Sequence, residues 1–219
     1  MFSEKDFIPK NYLNTLESGS FTWSSPSNIA LVKYWGKIEN KPSDIEGFQD
    51  QIPANPSVSF TLKNCKTITQ LSYKKHLKNQ FSFDLAFEGK SKEEFKPKIQ
   101  KFLERIDIFC PYLKEFHLHI DTKNTFPHSS GIASSASGMA ALAMNIMSLE
   151  KLLIPSMSDD YFYRKASFLA RLGSGSACRS IKGDIVTWGE SNIQNSSNLF
   201  GIELPTQLHQ NFDNYQDTI

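Results

Sequence analysis

Residues 125–138 read TFPHSSGIASSASG and run directly into the apolar stretch MAALAMNIMSLEKLL at 139–153. Small residues ahead of a helix suit an anion. The first helical turn leaves N–H groups unpaired, the macrodipole adds partial positive charge there, and phosphates bind at such ends. Gly131 and Gly138 allow close backbone approach, and Ser129, Ser130, Ser134, Ser135 and Ser137 add hydroxyl donors without bulk. The segment is read as a cradle for nucleotide phosphates. A flexible Ser/Gly linker is the competing reading, but Ile132 and Ala133 interrupt the polar run and a helix follows at once. It is not a Walker A loop, because no Gly-Lys-Ser/Thr closes it.

Two further clusters could do chemistry. Lys33-Tyr34-Trp35-Gly36-Lys37 places two ammoniums, a phenol and an indole at the end of a strand-like run, Ile29–Tyr34. In an extended strand Lys33 and Lys37 share a face, and two cations with a phenol suit a diphosphate. On these residues alone, a solvated strand end is the simpler account. Gly173-Ser174-Gly175-Ser176-Ala177-Cys178-Arg179-Ser180 joins flexible backbone and hydroxyls to a planar guanidinium, a pattern suited to an oxyanion or carboxylate. Cys178 is read as small filler rather than a nucleophile, since no Cys/His spacing supports a thiolate. His117 and His119 are read as the outward face of a strand, and the role of His128 is left open.

The elements that must position these clusters follow from periodicity. Ser57–Leu62 and Thr67–Tyr73 read as two strands, and Phe81, Phe83, Leu85 and Phe87 alternate as a half-buried third. Phe95, Ile99, Phe102, Leu103 and Ile106 then fall on one face of a helix over 92–108. Phe116, Leu118 and Ile120 alternate again. Helices are expected at 139–153 and from an N-cap at Ser158 to about Leu172, stopped by Gly173. Asp184–Trp188 reads as a strand. Early strands followed by mixed elements predict an α+β fold.

Composition bounds the rest. The chain of 219 residues is 39% hydrophobic and 21% charged, with 17 Phe to fill a core. A net charge of +1 gives no global basic field, so nucleic acid is not an expected partner and any anion site must be local. The three cysteines, Cys65, Cys110 and Cys178, form no CxxC, which favours reduced thiols and a cytoplasmic location. No membrane partner is expected: no run approaches a membrane span, and the N-terminus lacks a signal-peptide core.

Three motifs in this order, NIALVKYWGK at 28–37, FPHSSGIASSASG at 126–138 and GSGSACRS at 173–180, resemble diphosphomevalonate decarboxylases of the galactokinase/homoserine kinase/mevalonate kinase superfamily. IPANPSVSFTL at 52–62 is similar to the family segment between the first two. The middle motif marks only the superfamily; the other two are more specific. The resemblance implies a two-layer α+β N-terminal domain like the second domain of ribosomal protein S5, with helices on a mostly antiparallel sheet. It implies ATP-dependent decarboxylation of (R)-5-diphosphomevalonate to isopentenyl diphosphate, with ADP, phosphate and CO₂.

By motif, Lys33 and Arg179 would be catalytic. Tyr34, Trp35, Gly36, Lys37, Ser174, Gly175, Ser176, Ala177, Cys178 and Arg179 would bind substrate, Arg179 at its carboxylate. Pro127, Gly131, Ala133, Ser134, Ser135 and Ala136 would hold ATP, with Ser135 near Mg²⁺. His128-Ser129-Ser130-Gly131-Ile132 departs from the family's usual Thr-Ala-Ala-Gly-Leu. The resemblance also implies a homodimer for a full-length member. Its second domain would bring a catalytic aspartate in an Asp-Ala-Gly-Pro context, which Asp213 and Asp217 lack. The chain is therefore expected to be an N-terminal portion: a lead-in at 1–20, an ATP- and substrate-binding domain at 21–190, and a polar tail at 191–219 opening a truncated second domain. Another small-molecule kinase of the superfamily, or a non-catalytic ATP-binding fragment, remains as an alternative.

Overall fold

The computed structural model describes residues 2–38, 43, 45–46, 48, 51–76, 78–127 and 132–205. Its strands are β1 (Ser18–Val32), β2 (Ser57–Lys75), β3 (Ser82–Phe87), β4 (Lys90–Ser91), β5 (Phe116–Asn124), β6 (Ile185–Trp188) and β7 (Ile202–Glu203). Its helices are α1 (Lys96–Ile106), α2 (Ser134–Leu153) and α3 (Asp159–Gly173). Among the described residues the strands form one sheet in the order β4-β3-β5-β2-β6-β7, with β1 pairing β2 off that path. Every pairing is antiparallel except β3 with β5. The fold is thus the expected α+β arrangement on a mostly antiparallel sheet.

The two strands expected at 57–62 and 67–73 are one strand of 19 residues. The polar stretch Lys63-Asn64-Cys65-Lys66 does not end it, because what changes there is the pairing. One edge of β2 meets β6 through Ser57–Phe60 and then β5 through Thr67–Lys75. The other edge meets β1 throughout, with a register shift between Pro26 and Asn28. Residues 62–65 of β2 stand opposite Ser27 alone, an enlarged bulge that bends the ribbon.

One sheet face is covered by helices. Leu71, Tyr73, Leu85, Phe116, Leu118 and Ile120 meet Ile99, Phe102, Leu103 and Ile106 of α1, the face that the periodicity marked. The N-terminal residues join the same core: Phe7 is fully buried and stacks on Phe168 at 4.6 Å between ring centroids. The stretch after β6 also lies on the domain, since Trp188 donates its indole N–H to Asn198 O and Phe200 is buried. α2 is buried on nearly every side, with Ala140, Ala141, Ala143, Ile146, Met147 and Leu149 fully inside. It begins at Ser134, five residues before the expected start. Packing there outweighs the weak helix propensity of Ser and Gly.

One charged pair lies inside this layer. Lys165 on α3 donates to Glu150 on α2 at 2.6 Å, and neither side chain has any solvent exposure. Lys165 also donates to Phe109 O, and Glu150 accepts from Tyr112 Oη at 3.3 Å. Burial pushes the Glu150 carboxyl up, while Lys165 and these hydrogen bonds pull it back. Removing one partner strands the other as a buried charge. Lys165→Met is therefore expected to cost about 3–5 kcal/mol in urea unfolding, and Glu150→Leu/Lys165→Met to recover most of it. A single variant within about 1 kcal/mol of the native chain would show that the pair does not hold the helices.

Candidate functional site

The residues of the third motif come together around Arg179. They follow α3 as a 3-10 helix, Gly175–Ser180, rather than the flexible loop that the Gly/Ser composition suggested. Gly175, Ala177, Cys178, Arg179 and Ser180 are buried. Asn28 of β1 clamps this turn, donating to Ser180 Oγ at 2.7 Å and to Ser176 O at 3.2 Å. Ser174 caps the turn, its carbonyl accepting from Ala177 N at 2.8 Å. The Tyr34 and Trp188 rings meet edge to face at 5.0 Å, and the Arg179 guanidinium lies 5.8 Å from one ring and 5.9 Å from the other. Gly175 is required here: a Cβ on it would stand 2.9 Å from Tyr34 Oη and 3.3 Å from the Trp188 ring.

Arg179 is 2% exposed and donates from Nη1 to Ser57 Oγ. Its Nε is buried with no partner. Burial lowers its pKa, without discharging a guanidinium. An unpaired buried donor costs about 1–3 kcal/mol, so the guanidinium retains capacity for an acceptor.

Lys33–Lys37 is not a strand end with both ammoniums on one face, because β1 stops at Val32. Residues 33–38 are irregular, and Asn55 holds them by accepting from Trp35 N at 2.8 Å and donating to Lys33 O at 2.9 Å. Gly36 adopts φ +126, a conformation that side chains resist. Tyr34 turns inward to Arg179, whereas Lys33 and Trp35 are exposed, Trp35 at 82%. Lys37 is exposed along its length, but its Nζ is part-buried on Gln51 Oε1. Burial lowers the Lys37 pKa, as do the charges of Arg105 and Arg171. Arg105 donates to Leu172 O at 2.6 Å and Arg171 to Gln51 O at 2.9 Å, so the three cations share one neighbourhood at the end of α3. Such a cluster favours an anion.

The second motif lies beside a separate slot. Thr67, Thr69, Leu85, Phe87, Phe95, Lys98, Ile99, Ile120, Thr122, Asn124 and the first turns of α2 line a cavity of about 200 Å³. Ser134, Ser135 and Gly138 lie on its wall. Ala133, at the N-cap, supplies no side-chain bond to the first helical N–H groups, which leaves donors for a ligand. Ser135 is exposed and Ala136 is buried, while Pro127 is exposed three residues beyond β5. Gly131 and His128 lie outside the described residues. No group of three or more His, Cys, Asp or Glu side chains gathers to hold a metal among the described residues. The exposed Ser135 hydroxyl, at the start of α2, is the described side chain that the motif offers to a magnesium ion.

Several partners escaped the sequence reading: Asn28, Gln51, Asn55, Ser57 and Trp188. A signal for some was present. In the first half of β2 the polar residues face inward, with Ser57 and Ser59 fully buried and Thr61 at 6%, while Val58 and Phe60 are less covered. Inverted alternation of this kind marks a polar pocket rather than a core. His117 and His119 do point outward; His117 meets Ser82 and Asp84.

A mostly antiparallel sheet, helices on one face and a helix N-terminus carrying small residues define the N-terminal domain of the GHMP small-molecule kinase fold. Within it, residues 25–199 match the family described as diphosphomevalonate decarboxylase-like N-terminal domain, and the chain belongs to that family. The diphosphomevalonate decarboxylase of Ganoderma lucidum is 32% identical over 200 residues, covering 86% of this chain and 46% of that protein. The mevalonate diphosphate decarboxylase structure from Staphylococcus aureus superposes with a TM-score of 0.63 at 30% identity, over 85% of this chain and 50% of that one. A further structure, MDDEF in complex with MVAPP, AMPPCP and magnesium, gives 0.62 at 29% identity, over 86% and 51%. The chain spans about half the length of the relatives it matches.

Cys178 is fixed as filler. Its thiol is buried, donates to Gly175 O at 3.1 Å and is pushed up to about 12, chiefly by burial. At pH 8 the thiolate fraction in the fold should be far below that of the unfolded chain, by about a thousandfold. Alkylation mapped by mass spectrometry should label Cys178 only after urea is added. Prompt labelling of the folded chain would restore it as a candidate nucleophile.

Proposed function

We propose that this domain binds (R)-5-diphosphomevalonate and Mg·ATP for ATP-dependent decarboxylation to isopentenyl diphosphate, ADP, phosphate and CO₂. The observation that carries the reading is the Arg179 cluster, a buried guanidinium with an open donor, lying against the edge-to-face pair of Tyr34 and Trp188. A kinase needs to grip a phosphate acceptor. A decarboxylase must also orient a carboxylate, and a guanidinium fork suits that planar group bidentately. Arg179 would hold the carboxylate while its electrons move toward the carbon that loses phosphate.

Lys37, with Arg105 and Arg171 at its back, supports binding of the diphosphate, and Tyr34, Ser174 and Ser176 would complete that end. Lys33 is assigned as a nearby cation by motif alone, as are the substrate contacts of Trp35 and Gly36. ATP supplies the phosphoryl group that turns a poor tertiary leaving group into a good one. The slot beside α2 would take the base, with Thr122 and Asn124 as polar partners, while Ser134, Ser135 and the open helix end would hold phosphates. Three free, buried cysteines are compatible with a reducing cytoplasm. No helix among the described residues is long and apolar enough to cross a membrane. A homodimer in a full-length enzyme is proposed on the resemblance alone.

Calorimetry tests the two halves separately. Ser135→Ala should weaken Mg·ATP binding and leave diphosphomevalonate binding unchanged, and Lys37→Ala should do the reverse. Each loss should be about 10–150-fold, for a charge-assisted bond worth roughly 1.5–3 kcal/mol. A Lys37→Ala chain that binds diphosphomevalonate normally would return Lys37 to the solvated surface. Phosphate transfer without CO₂ release from carboxyl-labelled substrate would favour a kinase.

A further inference from the structure

We propose that Ser57 is the positioning residue for Arg179, and that through it the domain distinguishes a carboxylate-bearing diphosphate from one without a carboxylate. The inference rests on the decarboxylase reading above and adds a residue that neither the motifs nor the family match assigns.

Ser57 is the first residue of β2 and is fully buried. Its hydroxyl has a fixed direction, because it donates to Trp188 O at 3.2 Å. That spends its one proton and leaves the lone pairs for the donor on Arg179 Nη1. The backbone beneath is equally constrained: Ser57 pairs with Trp188 across the β2–β6 ladder, and its carbonyl accepts from Thr187 Oγ1 at 3.2 Å. The guanidinium lies against the Tyr34–Trp188 ring pair, about equally far from each. With Nη1 engaged by Ser57, the buried Nε is a donor without a partner. Ser57 therefore fixes the rotation of the guanidinium plane about its long axis. Without the hydroxyl, the guanidinium could turn against the ring pair, and the bidentate geometry that a carboxylate needs would be lost. Ser57 touches no substrate; it acts through Arg179.

The test compares two ligands of the full chain by calorimetry: (R)-5-diphosphomevalonate, and isopentenyl diphosphate, which keeps the diphosphate and lacks the carboxylate. The native chain should prefer the first. Ser57→Ala should reduce that preference about tenfold, the effect of one lost charge-assisted bond, while isopentenyl diphosphate binds as before. In an Arg179→Gln background, Ser57→Ala should cause no further loss, a coupling that general loosening of the fold would not produce. If Ser57→Ala does not fold, Ser57→Cys, which has the same shape with a slightly larger and weaker acceptor, should show the same loss. A native preference that Arg179→Gln abolishes and both Ser57 variants keep would overturn the positioning role alone. A native chain with no preference would overturn the carboxylate reading, and this proposal with it.

Discussion

Glu150 and Lys165 are opposite charges with no access to water, and the positions of α2 and α3 follow from that. A buried ion separated from its partner is costly, so neither helix can slide along the other by even part of a turn. Phe109 O and Tyr112 Oη add hydrogen bonds to the pair and tie the segment after α1 to the same point. Both candidate ligand sites extend from these helices. α2 begins at Ser134 on the wall of the slot, and α3 ends at Gly173, directly before the turn that carries Arg179. The pair sits toward the end of α2 remote from the slot, so it sets axial register without placing charge where a ligand would enter.

Electrostatics around the second site are arranged differently. The chain is almost neutral, yet burial and the nearby charges of Arg105 and Arg171 lower the Lys37 pKa, and Arg179 lies against the Tyr34–Trp188 ring pair. Backbone carbonyls of Leu172, Leu199 and Gln51 take several of the guanidinium donors. These neutral acceptors hold the guanidinium groups in place without adding negative charge of their own. A field built this way attracts an anion without needing a basic surface.

Much of the scaffold was legible because burial follows period. The α1 stripe and the alternation in β5 appear as the sequence predicts, and Ser158 caps α3 by accepting from Tyr161 N, whereas in β3 the adjacent Leu85 and Ala86 are both buried and the expected alternation is broken. The misses have a common cause. Lys63–Lys66 looks like a break, but strand continuity depends on partners distant in sequence. Ser134–Gly138 looks like a loop, but its helical state is imposed by the sheet and α3 packed around α2. Lys37 was expected to share a strand face with Lys33, and its actual neighbours come from residues 51, 105 and 171. Ser57 was visible only as a polar residue in an inverted pattern, which single-sequence periodicity treats as noise.

The continuity of β2 has one more consequence. Thr67 and Thr69 on the wall of the slot and Ser57 beneath Arg179 belong to the same strand, separated by the bulge at 62–65. Side chains on a strand alternate, so a change of one residue in length would reverse the facing of one half relative to the other. The bulge is the place where a change in length is least resisted, because residues 62–65 lie between the stretches that β5 and β6 hold in register. It acts as a phase adjuster between two chemistries: lineages could lengthen or shorten it by pairs of residues and retune the spacing of the sites, whereas odd steps would turn one of them inside out.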